Sequence, residues 1–520
     1  MKRKILFSIV ILLLSVGGLI WALPLSPRKD LLKITAIHPP KKPVIMINVD
    51  SLMSGPLMNV VNAGEAPAIK FLMDKGYFIP DMVSSYPTMS MTIDSTILTG
   101  TYANQHHVPG LIWFDEKSNE IVSYGSGFHE IWDNGVKDVV KNGILHLNGE
   151  HLSKNVSTIH EELESHGLQT ASINGLLYRG PKTHQLHVPK MIAASKLLPK
   201  NLKVDGPTYL SLGALSHYSP QNTSERAVWN RMGMNNKFTV NEIRHLIRNK
   251  RLPSFTLAYF PDMDKDLHKE GPEATNGIVK LDQQIQGLLN EFSSWEEAIE
   301  QTVWIVHGDS AQSKVLEDQD KALIDLNKLL DGYRFWTEDT KTDSEIAIAI
   351  NERMAYIYLN DSKIQLQDVV RKLRQDDRIA WIAYKENQLN VVQTINGEQL
   401  AFSSNGPYTD TYGQSWNVSG TYSILDLHVS DQISYGNYPD ALARLHGALH
   451  SQEGRFLIVE AKPGFEFIES HSYDHSGGGA HGSLHKVDSI VPLIVAGTEE
   501  RPVHPRVVDL KEWIYRLTVQ

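Results

Sequence analysis

Short apolar runs recur along this chain and are separated by amphipathic segments. The runs have the length and composition of buried parallel strands: VIMINV (44–49), LQTASI (168–173), SFTLAYF (254–260), TVWIV (302–306) and SIVPLIVAG (489–497). Helical patterns lie between them, over 66–75, 159–164, 277–292 and 510–517. Strands that alternate with helices predict a doubly wound α/β fold with a mostly parallel sheet. Such sheets bind their ligands beyond the carboxyl ends of the strands.

Three acids follow these runs closely. Asp50 comes directly after the first run, Asp264 shortly after the third and Asp309 shortly after the fourth. His268 follows Asp264 by four residues, so on a helix the two would share a face and bind one cation. An i, i+4 charged pair on a solvated surface is the alternative for that segment.

His481 lies in the glycine-rich run SGGGAHG, which resembles a phosphate-binding loop but lacks the lysine and the following helix of a P-loop. The predicted role of its glycines is to let the backbone bring His481 close to a metal.

The stretch YPTMSMTIDSTILTG, from Tyr86 to Gly100, carries several hydroxyls directly before a Thr-Gly turn. One of them is a candidate nucleophile, although Ser and Thr at the start of a helix commonly only cap it. Together with the acids and imidazoles, the stretch predicts a phosphoester site with two metals. Two ions about 3.5 to 4 Å apart can hold both the attacking and the leaving oxygen.

Charge and composition exclude several classes of site. A formal net charge of -10 and a pI near 6.1 argue against a groove for nucleic acid. The chain has no cysteine, so thiolate metal sites, cysteine nucleophiles and disulfides are excluded. No sequence feature identifies a protein partner.

The amino-terminal segment is basic and then apolar. Lys4 is the last charge before Arg28, and the uncharged run between them exceeds the roughly 20 residues that cross a bilayer. Residues 1–27 are therefore predicted to be a membrane anchor, with the rest of the chain outside the cell membrane. A cleaved signal segment and secretion are the alternative, although Ile20-Trp21-Ala22 matches a cleavage site poorly. Residues 28–42, rich in proline and lysine, predict a stalk.

The alternation of long strands and helices breaks over residues 315–440. Shorter alternating pieces appear there, including MAYIYL, IAWIAY and LNVVQTI, together with the turn cluster SSNGP. This pattern predicts a smaller inserted α+β cap. The catalytic core would then comprise 43–314 and 441–520, and the chain would return to the core sheet near FLIVEA (456–461).

In their order along the chain, these motifs resemble the alkaline phosphatase superfamily, most closely its type I phosphodiesterase/nucleotide pyrophosphatase branch. Counting back from the Thr-Gly turn puts Ser90 at the position of the nucleophile, with Thr88 and Thr92 as the alternatives. The residues that match the branch are Asp50, Ser90, Tyr102, His106, Asp264, His268, Gly271, Pro272, Asp309, His481 and Gly482.

Two positions depart from the pattern of that branch. Ile93 stands where the family has the Asn that holds a phosphoryl oxygen, and Ser310 stands where it has a histidine ligand. Both substitutions weaken the same half of the site. A catalytically degenerate binding or scaffold protein that keeps the fold is therefore an alternative.

The resemblance implies two divalent metal ions, zinc at both sites with manganese possible at the weaker one. One ion would be held by Asp264, His268 and His481, and the other by Asp50, Asp309 and Ser90. The ions would lower the hydroxyl pKa of Ser90, whose attack on phosphorus gives a phospho-enzyme that water then opens. Asp94, beside Ile93, is a candidate substrate contact. Tyr178 and Arg179, in the loop after the strand at 168–173, are further candidates, with a plain surface loop as the alternative.

The predicted function is a metal-dependent phosphoester hydrolase that acts outside the cytoplasmic membrane on a small phosphoester. A phosphomonoesterase or a phosphoryl transferase of the same superfamily is the alternative within the enzymes. A sulfatase is disfavoured, because no (C/S)-x-P-x-R segment is present.

Overall fold

A computed structural model of the 520-residue chain describes residues 27–125, 136–189, 193, 198–199, 201–469 and 474–519. The predicted anchor over 1–27 lies, apart from Pro27, outside the described residues. Within the described part of the chain, no helix has the length and apolar character needed to cross a membrane.

The strands of the described residues are numbered in chain order. They are β1 (Val44–Val49), β2 (Tyr77–Val83), β3 (Ile112–Asp115), β4 (Glu120–Ser123), β5 (Thr170–Ile173), β6 (Lys182–His187), β7 (Asn201–Gly206), β8 (Tyr209–Ser211), β9 (Phe255–Phe260), β10 (Val303–Gly308), β11 (Ser313–Lys314), β12 (Leu323–Asp325), β13 (Ile346–Asn351), β14 (Met354–Leu359), β15 (Ile379–Glu386), β16 (Leu389–Gln393), β17 (Gln399–Asp410), β18 (Ser415–Gly420), β19 (Leu427–Val429), β20 (Gln432–Tyr435), β21 (Phe456–Ala461), β22 (Glu466–Ile468), β23 (Gly479–Ala480) and β24 (Ile490–Ala496).

The α-helices are numbered in the same way. They are α1 (Ser54–Asn62), α2 (Pro67–Lys75), α3 (Ser90–Thr99), α4 (Ala103–His106), α5 (Val136–Lys141), α6 (Ile159–Ser165), α7 (Asn236–Arg248), α8 (Asp262–Glu270), α9 (Asn276–Leu289), α10 (Trp295–Gln301), α11 (Gln319–Ala322), α12 (Leu326–Leu329), α13 (Leu366–Leu373), α14 (Ala441–Leu449), α15 (Lys486–Ser489) and α16 (Leu510–Val519). A π-helical segment, Asn142–His151, follows α5.

The first sheet has seven strands in the order β2-β24-β10-β1-β9-β5-β8. The five predicted apolar strands all lie in it, and the predicted mostly parallel α/β core is confirmed. β24 runs opposite to the other six strands of this sheet, so the parallel direction predicted for 489–497 is wrong. An apolar run indicates burial on both faces and carries no information about direction. Helices α2, α7 and α9 pack together, as do α3, α6 and α16, and both groups contact the sheet.

A second, nine-stranded sheet has the order β13-β14-β21-β15-β16-β17-β20-β19, with β18 paired to β17. The prediction that the chain returns to the core sheet at 456–461 is wrong, because β21 lies between β14 and β15. Ile458 packs in one hydrophobic cluster, whereas Leu457 and Val459 pack in another that includes residues of α13. Burial on both faces gives β21 the same apolar pattern as a core strand. The domain boundaries themselves stay predictions.

The β13–β14 hairpin joins the second sheet to the first near the strand ends. Asn351 pairs with Met354 across its tip. The N–H of Arg353, at the tip, donates to the carbonyl of His481 at 3.0 Å. Nη1 of Arg353 lies 2.6 Å from both carboxylate oxygens of Asp488, and neither side chain has any exposed area. The tip of the hairpin is thereby fixed against the glycine-rich segment around His481.

Candidate active site

Three neighbouring strands of the first sheet bring the predicted acids together. The register pairs Val49 of β1 with Gly308 of β10 and with Phe260 of β9, so these strands end at the same level. Asp50 and Asp309 follow directly, and Asp264 lies on the first turn of α8. The carboxyl ends of parallel strands form the usual binding edge of such a sheet. The predicted convergence of these acids is the arrangement found.

Ser51 connects the acids. Its N–H donates to Asp309 Oδ1 at 2.9 Å, and its hydroxyl donates to Asp264 Oδ1 at 2.9 Å. The Ser51 hydroxyl also lies 3.3 Å from that of Ser310. Nε2 of Gln312 donates to the Ser51 hydroxyl at 3.0 Å and to Asp264 Oδ1 at 2.8 Å. The hydroxyl of Ser310, where the resemblance expects an imidazole, therefore contacts the Ser51 hydroxyl within a network that also includes Gln312 and the two acids.

Helix α8 presents Asp264 and His268 on one face, as their spacing predicts. His268 Nε2 lies 3.1 Å from Asp264 Oδ1. On the other side of the ring, Nδ1 lies 2.8 Å from the carbonyl oxygen of Gly479. Because a carbonyl can only accept, Nδ1 carries a proton, and Nε2, which faces Asp264 Oδ1, is the nitrogen that could bind a cation in exchange for its proton. The solvated ion pair considered for this segment is excluded, since the imidazole is only 15% exposed.

His481 approaches the same point from the glycine-rich segment. Its Nε2 lies 3.9 Å from Asp264 Oδ1, and its Nδ1 donates to the carbonyl of Thr88. A ligand atom from each of Asp264, His268 and His481 lies within 4.8 Å of the others. Gly482 has a φ of 106°, and a Cβ there would clash with the carbonyl oxygen of Asn351. Glycine at 482 therefore permits the close approach of this segment that the sequence suggests.

The other two acids each carry a buried oxygen without a hydrogen-bond partner among the described residues. Asp50 accepts a hydrogen bond from the hydroxyl of Tyr259 through Oδ2, and its Oδ1 has no such partner. Asp309 accepts from the N–H groups of Ser51 and Ser310 through Oδ1, whereas its Oδ2 has none. Burying an unpaired carboxylate oxygen costs free energy that a bound cation would offset.

Burial and neighbouring charges shift the pKa values of several groups in this cluster. Burial, followed by the charges of Asp264 and Asp309, raises the pKa of Asp50 well above its ordinary value. Burial also raises the pKa of Asp309. Burial lowers the pKa of His268, but Asp264 and Glu352 more than reverse this, so its pKa lies well above the ordinary value. Carboxylate and imidazole donors in this arrangement fit zinc or manganese, whose binding would release these protons.

The candidate nucleophiles differ in their surroundings. Thr88 is fully buried, and its hydroxyl accepts from the N–H of Gly482 at 2.7 Å. Thr92 is also fully buried, and its hydroxyl donates to the carbonyl of Val108 at 3.1 Å. Ser90, the first residue of α3, is only partly buried. Of these hydroxyls, that of Ser90 is the one left accessible to a substrate.

The predicted substrate contacts lie in less accessible places. Asp94 is 2% exposed and accepts a hydrogen bond from Asn48 Nδ2 at 2.7 Å. Tyr178 is 1% exposed, and its hydroxyl donates to the carbonyl of Ile144. The hydroxyl of Tyr178 is thereby paired within the protein, whereas Oδ2 of Asp94 has no hydrogen-bond partner among the described residues. The predicted role of both residues in substrate binding stays a prediction.

Arg179 is similarly engaged. It forms an ion pair with Glu161 at 3.0 Å and donates to the carbonyls of Leu152, Ser153 and Val156. Its side chain borders a cavity of about 950 Å³ that is lined by residues other than the metal-ligand candidates. These contacts connect Arg179, in the loop after β5, to the segment 152–161, and its role in substrate binding stays a prediction.

Several residues near the acids were not singled out by the sequence. Tyr259 and Gln312 bond to Asp50 and Asp264 respectively, while Glu352 and His475 lie beside His268. Tyr259 and Gln312 could have been found from their places at the end of β9 and just after β10. Glu352 and His475 carry no such signal, because no strand of the first sheet leads to them.

Comparisons with known proteins identify a family and similar folds for this chain. A family model described as type I phosphodiesterase/nucleotide pyrophosphatase matches residues 44–484. The structure resembles murine ectonucleotide pyrophosphatase/phosphodiesterase 5, with a TM-score of 0.56 and 12% identity over 92% of this chain and 95% of that chain.

An inactive form of the murine protein in complex with AMP gives a TM-score of 0.56 at 13% identity, and the human protein gives 0.55 at 13%, both with the same coverage. At these identities the likeness shows the fold alone. No curated protein matches the chain.

Proposed function

Because this chain belongs to the type I phosphodiesterase/nucleotide pyrophosphatase family, we propose that it is a metal-dependent hydrolase with Ser90 as its nucleophile. Family membership makes it a phosphoester hydrolase with phosphodiesterase or nucleotide pyrophosphatase activity. The metal dependence, the nucleophile and the location outside the cytoplasmic membrane are the proposed parts.

The observation that carries the proposal is the pair of unpartnered buried oxygens on Asp50 and Asp309 beside the cluster of Asp264, His268 and His481. Asp264, His268 and His481 would hold one divalent cation, and Asp50 and Asp309 the other, with Ser90 beside them. When bound, the two cations would offset the charge of the phosphoryl group and lower the pKa of the attacking hydroxyl.

Ser90 opens α3, whose first turn directs unpaired N–H groups away from the helix. The amino end of a helix attracts anions, so it would orient a phosphoryl group against the Ser90 hydroxyl. Attack of Ser90 Oγ on the phosphorus of a diester would form a phosphodiester between Ser90 and one half of the substrate, as the other half leaves from the opposite side as an alcohol and takes up the proton. Water would then cleave the bond between Ser90 Oγ and phosphorus and release a phosphomonoester.

The substrate is proposed to be a small phosphodiester of the nucleotide class. The AMP bound to the related murine protein supports this class of ligand. The apolar run over 5–27 supports a location outside the membrane, either anchored or secreted.

The direct test compares hydrolysis of bis-p-nitrophenyl phosphate with that of p-nitrophenyl phosphate. The purified protein is assayed as isolated, after chelation, and after readdition of Zn²⁺ or Mn²⁺. Preference for the diester, loss on chelation and recovery with metal are the expected results. Preference for the monoester would favour a phosphatase, and full activity in the chelated protein would contradict metal dependence.

Two cations of unequal affinity are predicted. Two imidazoles and a carboxylate favour zinc, whereas the Asp50/Asp309 pair with Ser310 offers mainly oxygen ligands and binds less tightly. Titration of the chelated protein should show two steps, with activity following the weaker one. His268→Ala should remove the tighter step and Asp309→Asn the weaker one. Two equally tight steps in the wild type would refute this asymmetry.

A further inference from the structure

Glu352, at the tip of the β13–β14 hairpin, reaches the proposed cation site from the second sheet. Its Oε1 lies 3.6 Å from His481 Nε2 and 3.9 Å from His268 Nε2, and the side chain is 11% exposed. The other carboxylate oxygen accepts from the N–H of His481 at 2.8 Å. The main-chain carbonyl of Glu352 accepts from the N–H of Phe467 at 2.9 Å. These bonds hold one carboxylate oxygen toward both imidazoles.

Four distances between these donor atoms can be compared with those of a tetrahedral zinc site. Asp264 Oδ1 is 3.1 Å from His268 Nε2 and 3.9 Å from His481 Nε2. Ligands bound about 2.0 to 2.2 Å from zinc at tetrahedral angles lie about 3.3 to 3.6 Å apart. The separations that include Glu352 Oε1, 3.6 and 3.9 Å, fall at or just above this range.

The imidazoles around this point are oriented as metal ligands are. His268 and His481 direct Nδ1 to main-chain carbonyl oxygens. The ring of His475 lies 4.3 Å from that of His268, and its Nδ1 lies 2.6 Å from Glu466 Oε1. Metal-binding histidines commonly donate their second N–H to a carbonyl or a carboxylate.

Two overlapping sets of ligands share His268. One contains Asp264 and His481, and the other contains Glu352 and His475, each with its ligand atoms within 4.8 Å of one another. Since Nδ1 of His268 is held by a carbonyl, the residue has one nitrogen for a metal. His268 can therefore bind only one cation, and Glu352 lies within reach of the nitrogen that would bind it.

We propose that Glu352 is a fourth protein ligand of the cation held by Asp264, His268 and His481. The inference rests on the proposed function and adds a ligand from the inserted sheet. Four protein ligands close a zinc site, whereas a catalytic site keeps one position open. A substrate oxygen would therefore have to displace the Glu352 carboxylate to reach the cation, which makes the second sheet part of the entry step.

The test is a competition titration of the chelated full-length protein with Zn²⁺ against a chromophoric chelator. Glu352→Gln removes the charge but keeps an oxygen that can accept from the N–H of His481. Glu317→Gln is the matched control, because Glu317 is 80% exposed and pairs only with Lys314 on the surface among its described ion pairs. The tighter zinc step should weaken at least about ten-fold in Glu352→Gln and stay unchanged in Glu317→Gln. A loss smaller than five-fold would overturn the inference.

A second variant separates ligation from a general effect of charge. Glu352→Asp keeps the negative charge and shortens the side chain by one methylene. If Glu352 binds the cation directly, this variant loses the bond; if it acts only through its charge, the effect is kept. We expect the zinc step to weaken in this variant too, and wild-type affinity in Glu352→Asp would overturn the inference. Absence of zinc binding in the wild type would overturn the proposed function as well, whereas normal wild-type binding with unaffected variants would overturn only the role of Glu352.

Discussion

Ser90→Ala is expected to lower turnover by at least about 10⁴-fold, because removal of a covalent nucleophile leaves only binding and electrostatic catalysis. Ser90 is the partly buried hydroxyl at the start of α3, whereas those of Thr88 and Thr92 are fully buried and bonded to the main chain. The variant should keep its tighter metal ion, since Asp264, His268 and His481 are untouched. Steady-state hydrolysis of bis-p-nitrophenyl phosphate and metal analysis of the same sample measure both quantities.

Ser95→Ala is the matched control for this experiment. Ser95 lies on the same helix and donates to the carbonyl of Met91 at 2.7 Å, away from any candidate ligand bond. Its turnover should stay near that of the wild type. Full activity of Ser90→Ala together with an inactive Thr88→Ala or Thr92→Ala would show that the nucleophile is misassigned.

Arg353→Ala is expected to destabilise the protein by about 3 to 5 kcal/mol, because it leaves the buried carboxylate of Asp488 without its cation. Both side chains have zero exposure, and the guanidinium also donates to Ser313 Oγ at 2.8 Å and to the carbonyl of Ala461 at 3.2 Å. Denaturant unfolding, monitored by circular dichroism, measures the change.

Arg371→Ala provides the comparison for a surface ion pair. Arg371 and Asp368 are 72% and 48% exposed, so their contact should be worth about 0 to 1 kcal/mol. The double variant Arg353→Met with Asp488→Leu should recover part of the loss, because it removes both buried charges. A loss in Arg353→Ala no larger than that in Arg371→Ala would contradict the structural importance of this pair.

The sequence predicted those parts of the molecule that depend on local pattern. The first sheet follows from apolar runs, since a strand buried on both faces is apolar throughout. Asp264 and His268 share a face because helical residues four apart always do. Asp50 and Asp309 meet because parallel strands end at one edge of their sheet. Each of these inferences uses residues close together in the chain or a general property of such sheets.

Tertiary structure decided what local pattern leaves open. The apolar pattern of β21 is that of a core strand, yet the strand pairs with β14 and β15, because pairing depends on which hydrophobic surfaces meet. Tyr178 and Arg179 follow a core strand, yet their contacts direct them into loop packing. Glu352 reaches His481 across 129 residues of sequence, since the hairpin that carries it is docked by Arg353 and Asp488. Contacts between such distant segments depend on three-dimensional packing, which no local periodicity encodes.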